Sequence, residues 1–226
     1  MEELLIKLIP NVMRKPEELF TSIIQTLVMV GLSGTISFCI GLVFGVMLVT
    51  MAPGGILQNR IVFNFLDKSI NFFRSIPFII LLAALIPLTR LVVGTAIGTK
   101  GAMLPLVFGT VPFFSRQIES ALAEVDGGII EAAQSMGSSP LGIIFRVYLR
   151  ESIPSITRVT TITMVSLTGL TAMAGAVGAG GLGDFAIRYG HQRNQFDVTV
   201  VTVLVILVIV SLIQGTGSWI IKKTTH

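Results

Sequence analysis

Long apolar stretches broken by short polar ones set the pattern of this chain. From Phe20 to Asn59 no charged residue occurs. A helix needs roughly 20 apolar residues to cross a hydrocarbon core. This stretch therefore predicts a first span over 21–51, closed by Pro53-Gly54-Gly55. A second span is expected over 63–91. Its first part carries Asp67, Lys68 and Arg74, which places that part in the interface or inside a bundle, and its apolar part starts at Ile76. A third span over 102–122 contains Pro105, Gly109 and Pro112. A fourth covers 156–177, and a fifth covers 198–221 and ends at Lys222-Lys223. No long linker, low-complexity tract or internal repeat interrupts this series.

Composition agrees with the pattern. Of 226 residues, 52% are hydrophobic and only 12% charged, where a soluble domain carries about 25%. The expected fold class is all-α, a polytopic transmembrane bundle of about five spans, with 1–226 as one domain. The net charge of +4 is scattered beside apolar runs and does not predict a nucleic-acid partner. Cys39 is the only cysteine, so no internal disulfide framework exists. The start Met1-Glu2-Glu3 lacks the basic region and cleavable apolar core of a signal peptide.

One polar interruption has a shape that can be derived. It contains Glu131-Ala132-Ala133-Gln134-Ser135-Met136-Gly137, then Ser138-Ser139-Pro140. Asp126 can cap a short helix by accepting backbone N–H bonds. Ile129, Ile130, Ala133 and Met136 then share one helical face. Gly137 can take the left-handed conformation that ends a helix. Ser139 can cap a second helix with Pro140 at its first position. Two short helices joined at a sharp corner are predicted, with small Ala132 and Ala133 allowing a partner to approach closely.

Here the residues resemble a known family. Glu131-Ala132-Ala133, Gly137, Val147 and Leu149 are similar to the motif of permease subunits of bacterial ABC importers. Arg150 departs from it, where the family has Pro, and Pro154 supplies a helix-start signal four residues on. Arg74-Ser75-Ile76-Pro77, Ile86-Pro87-Leu88-Thr89-Arg90, the run from Ala172 to Asp184, and Ala186-Ile187-Arg188-Tyr189-Gly190 resemble methionine-importer permeases. The similarity covers the chain from about Thr21 onward.

The resemblance implies that 126–150 is a cytoplasmic coupling segment docking into a separate ATPase through Glu131, Ala132, Ala133, Met136 and Gly137. It implies a homodimer in the bacterial inner membrane, two ATPase copies carrying ATP and Mg, and an extracytoplasmic solute-binding lipoprotein. With five spans the N-terminus lies outside and the C-terminus inside. Of the 16 Lys and Arg, nine then lie inside (Arg60, Lys68, Arg74, Arg116, Arg146, Arg150, Arg158, Lys222 and Lys223), a weak positive-inside bias. Met173 falls where the resemblance places a gate, beside Ala172, Gly175 and Ser166 on the expected pathway. A flexible thioether suits a plug that repacks between states.

Other constellations remain open between structural and functional roles. Ser33, Ser37, Gly41 and Gly45 repeat every four residues, a small-residue ridge serving either packing within the subunit or a subunit interface. Pro105 and Pro112 can kink the third span. Thr157, Thr160, Thr161, Thr163, Ser166, Thr168 and Thr171 either bond to their own helix or face a pathway. Arg116 and Glu119 can pair on one helix face. Gly178-Ala179-Gly180-Gly181-Leu182-Gly183 fits G-x-G-x-x-G formally, but it follows a membrane helix rather than a strand, so a re-entrant turn is expected. No G-x-x-x-x-G-K-[ST] run and no metal-ligand spacing occurs, so neither a catalytic site, a nucleotide site nor a bound cofactor is expected in this chain. The alternative to an ATP-driven importer is an ATP-independent carrier or channel.

Overall fold

The computed structural model describes residues 9–224, and every regular element among them is helical. A short α1 (Pro10–Met13) leads into α2 (Pro16–Met51). Then come α3 (Arg60–Ser75), α4 (Phe78–Ala84), α5 (Ile86–Val93) and α6 (Gly98–Ala123). The polar interruption holds α7 (Gly127–Ser135), α8 (Pro140–Ile143), a wide π turn over Ile144–Tyr148 and α9 (Leu149–Glu151). A long α10 (Ile153–Ala174) opens into a second π turn (Gly175–Ala179). It is followed by α11 (Gly181–Phe185), a third π turn (Ala186–His191) and α12 (Phe196–Thr224).

Three of these helices, α2, α10 with its π turn, and α12, are long and apolar enough to cross a membrane. The pair α5 and α6, bent by 118°, makes a fourth candidate. The polytopic all-α architecture is therefore the expected one. The stretch expected as the second span, 63–91, departs most, because it is divided among α3, α4 and α5. Pro77 is the reason: it holds Ile76 in an extended conformation (φ −86, ψ 122) and ends α3. Gly94, at φ +83, then closes α5. The kink expected at Pro105 and Pro112 is not where the chain breaks, since α6 runs on through both.

Contacts gather the chain into two compact units. One holds the chain up to Thr35, Pro77–Phe108 and Met164–Ile213. The other holds Ile36–Ile76, Gly109–Thr163 and the chain from Gln214. In the first, Met29, Val30, Leu106, Leu167 and Ala174 form the main core, and Val12, Phe185 and Val198 a second. Gly34 admits Met164, whose Sδ would lie 2.7 Å from any added Cβ. In the second unit Phe114, Ile118, Leu122, Ile143 and Tyr148 are buried together, and Leu48 packs with Leu66 and Ile70. Gly41 accommodates Phe114 and Gly45 accommodates Ile118 at distances no side chain would allow. Ser33 and Ser37 are also buried, so the small-residue ridge serves packing within the subunit.

The hydroxyls of α10 resolve in the same direction. Thr157, Thr160, Thr161, Thr163 and Thr168 each donate to the carbonyl four residues earlier, and Thr171 to that of Thr168. A polar side chain that bonds to its own helix is tolerated in hydrocarbon. Ser166 alone of the series faces outward.

In the second unit Arg116 of α6 donates to Glu119 at 2.7 Å and to Asp67 of α3, so one cation holds two carboxylates from two helices. The Arg116 side chain is 19% exposed. Removing the cation from this partly buried network leaves two carboxylates without a counter-ion, at a cost of about 2 kcal/mol. Arg116→Met is expected to lower the melting temperature of the detergent-purified protein by several degrees, while Glu119→Gln lowers it less because Asp67 keeps its partner. Thermal unfolding followed by tryptophan fluorescence checks this. A wild-type melting temperature for Arg116→Met would show that the network does not tie α3 to α6.

Candidate functional site

The polar interruption folds as its capping residues dictate. The Asp126 carboxylate accepts the Gly128 N–H at 2.7 Å and starts α7. At the far end Met136 donates to Ala132, Gly137 to Gln134 at 2.9 Å, and Ser138 to Ala133 at 3.1 Å. Gly137 sits at φ +75 with no atom within 4 Å of where a Cβ would stand, so backbone conformation rather than space requires glycine. The Ser139 hydroxyl accepts the Gly142 N–H at 3.2 Å, and Pro140 opens α8. The expected corner is present, with its two helices capped as predicted.

The faces of the corner differ in part from the expected set. Glu131 and Ala132 are exposed, Met136 is 79% exposed, and Gly137 is exposed. Ala133, expected beside them as a contact residue, turns the other way. It is 5% exposed and buried with Phe114, Ile118, Leu122, Ile143 and Tyr148. Ile130 packs against this cluster, whereas Ile129 is exposed, so the four apolar residues expected on one face divide between two. Val147 and Leu149, which carry the sequence motif, also face this core. The outer apolar surface includes two residues that sequence reasoning did not single out, Leu141 and Phe145, both well exposed. Their signal was available: large apolar side chains in an otherwise polar stretch.

The corner is also tied at its ends. The Ser155 hydroxyl, in the first turn of α10, donates to the Glu124 carboxylate at 2.6 Å, just past the end of α6. This bond closes the loop of chain between the two helices. Burial pushes the Tyr148 phenol above its ordinary pKa and keeps it neutral in this seat. Arg150 is exposed at the end of α9, and α10 starts at Ile153 with Pro154 in its first turn. The helix start thus survives without the Pro that the motif carries.

A second face lies on α10 and its π turn. Ser166, Gly169, Met173 and Val177 are all exposed, spaced three or four residues apart, and form one open stripe. Met173 is 43% exposed. Gly175 and Ala172, expected on the pathway with them, lie with their backbones against the turn that follows. A Cβ on Gly175 would lie 2.6 Å from the Asp184 backbone N, and one on Gly183 would lie 2.7 Å from the Ala172 Cα. Both residues seat the glycine-rich turn that follows α10. That turn is held from α2: Gln25 Oε1 accepts the Gly181 N–H at 2.7 Å and Thr26 Oγ1 accepts the Leu182 N–H at 2.8 Å. Among the described residues no group of three His, Cys, Asp or Glu side chains is placed to hold a metal.

The same chain pattern occurs in known proteins. Residues 39–224 match the family described as binding-protein-dependent transport system inner membrane component. A probable D-methionine transport system permease protein MetI of Vibrio cholerae is 47% identical over 208 residues, covering 92% of each chain. The methionine import system permease protein MetP of Bacillus subtilis is 43% identical over 174 residues, 77% of this chain and 78% of the relative. A solved inward-facing structure of the MetNI methionine ABC transporter superposes with a TM-score of 0.91 at 41% identity, covering 94% of this chain and 99% of that one. The chain therefore belongs to the binding-protein-dependent transport system inner membrane component family.

Proposed function

We propose that this chain is the membrane-spanning permease subunit of an ATP-driven importer for methionine or a closely related amino acid. One observation carries the coupling part of this reading. The corner of α7 and α8 shows an exposed apolar and acidic surface outward while its inner face is fixed in the core at the end of α6. Such an element receives a partner and passes that partner's displacement to the spans behind it. Glu131, Ala132, Met136 and Gly137 form the contact, with Ala133 seating it. The similarity to methionine permeases supports the substrate class. An ATP-independent carrier is not favoured, because the solved relative is an ABC transporter.

In this reading the chain acts as one permease domain and as a homodimer in the inner membrane, N-terminus outside and C-terminus in the cytoplasm. ATP and Mg reside on two copies of a separate ATPase, and an extracytoplasmic lipoprotein delivers the solute. ATP must bind one transporter state better than the other, since equal affinity shifts no population. The open stripe on α10 turns toward the second copy, and its Met173 side chains fill the pathway at rest.

Two outcomes test the reading. Gly137→Val forces a β-branched residue into positive φ, and Met136→Glu places a charge on the docking surface. Each is expected to cut capture of the co-expressed ATPase and solute uptake by about tenfold or more, equivalent to ~1.4 kcal/mol, with membrane insertion intact. Wild-type uptake from both would remove the support for a coupling corner.

The pathway assignment is read by cross-linking. Met173→Cys in a Cys39→Ser background is expected to form an intersubunit disulfide in the nucleotide-free complex, and less of it with ATP trapped. Met173→Ala is expected to raise uncoupled ATP hydrolysis by the complex while leaving the melting temperature nearly unchanged. A cysteine that never cross-links, together with a destabilised alanine variant, would return Met173 to the core.

A further inference from the structure

Three cations converge on one aromatic ring near the start of α12. Lys15 Nζ stands 4.2 Å from the Tyr189 ring centre, the Arg188 guanidinium 4.7 Å and the Arg193 guanidinium 5.0 Å. Aromatic faces attract cations, but one ring does not neutralise three. Arg188 pairs with Asp184 at 2.9 Å. The Lys15 ammonium has no hydrogen-bond partner. Burial, followed by the neighbouring Arg193, pushes its pKa below the ordinary range. Both guanidiniums are exposed. The three cations thus face two carboxylates, Asp184 on Arg188 and Glu18 near Lys15, and the cluster keeps a net positive charge with the exposed Arg193 guanidinium and the remaining donors of Arg188 turned outward.

An apolar groove adjoins this cluster. Ile23, Leu27 and Gly31 of α2 and Val201, Val205 and Val208 of α12 are among the residues lining a space of about 630 Å³. Val201 also packs in the cluster that contains Tyr189, which makes head and groove continuous. Phe20 of α2 and Phe196 of α12 are exposed and lie, in sequence, between the cations and the groove lining of their helices. Along α12 the lining runs from Val201 to Ile213, about 18 Å at 1.5 Å per residue. That is close to half of the ~30 Å hydrocarbon core. A partner's spanning helix would need the full thickness, whereas a lipid tail needs one leaflet.

We propose that the groove and its cationic head form a binding site for an anionic phospholipid. One acyl chain lies between α2 and α12, and Arg188 and Arg193 hold the phosphate, for which the guanidinium fork is the suited donor. Lys15 adds charge from below. The site is independent of which solute the protein transports.

The test uses the full chain, purified and delipidated in detergent, with native mass spectrometry in phosphatidylglycerol or phosphatidylcholine of equal chain length. Wild type is expected to retain phosphatidylglycerol roughly tenfold better, in line with the contribution of basic residues near an anionic surface. Arg188→Gln with Arg193→Gln is expected to abolish that preference. Gly31→Leu, at a position with no atom within 4 Å of a Cβ, fills the groove and is expected to weaken both lipids equally. If the double variant does not fold, Arg193→Gln alone is compared with Arg193→Lys, which keeps the charge without the fork and is expected to retain part of the preference that Arg193→Gln loses. Equal retention of both lipids by wild type, or a preference surviving the loss of both arginines, overturns the site. So does a double variant that keeps the lipid preference but no longer captures a soluble extracytoplasmic binding protein, which would assign the cations to protein docking.

Discussion

Hydrocarbon offers no hydrogen-bond partner to a peptide group, and the rest of this structure follows from that. Backbone within a membrane is either helical or satisfied by a neighbouring side chain. The threonines of α10 obey the rule by donating to their own helix. The glycine turn after α10 obeys it through Gln25 and Thr26, which accept the free N–H groups at the start of α11. Positive φ at Gly178, Gly180 and Gly181 makes the turn possible, and at the last two a Cβ would also strike those α2 side chains. The glycine run that formally imitates a nucleotide motif is thus a turn held against a membrane helix.

The corner formed by α7 and α8 works under the opposite condition. It lies where water can satisfy its backbone, so local capping suffices to shape it. In the proposed coupling role, what matters is how firmly it is attached. Ala133, Ile143 and Tyr148 anchor it beside Phe114, Ile118 and Leu122 of α6, and the Ser155–Glu124 bond ties the segment that enters it to the helix that leaves it. A docking element hung on flexible chain would absorb a partner's movement. One packed into the end of a long helix passes it on. The same packing explains why a small residue is needed at 133, where a larger one would lift α7 from its seat.

The two candidate faces have different chemistry. Met136, Leu141 and Phe145 give the corner large apolar contacts around an acidic residue, suited to a protein surface. Ser166, Gly169 and Met173 give α10 a stripe of small side chains with one adaptable thioether, suited to close approach of another helix. Both are exposed in the isolated subunit. The proposed ATPase partner and second copy account for both.

What the sequence determined by itself was whatever depends on neighbours a few residues away. Asp126, Gly137, Ser139 and Pro140 shape the corner through local capping and backbone preference, and each acts where the sequence placed it. The Arg116–Glu119 pair was legible for the same reason, being one helical turn apart. Asp67, the third member of that network, was not, because 49 residues separate it from Arg116 and only packing brings α3 beside α6. Tertiary structure also decided direction. Ala133 faces the core and Met136 faces out, although both fall within one expected apolar face. The π turn at Ile144–Tyr148 widens the helix, leaving Phe145 outside and Tyr148 buried. Gly175 and Ala172 pack against the turn at 180–184, which folds back onto them, a contact no local pattern announces. Periodicity identifies which residues share a face, but which face is covered depends on segments far away in the chain.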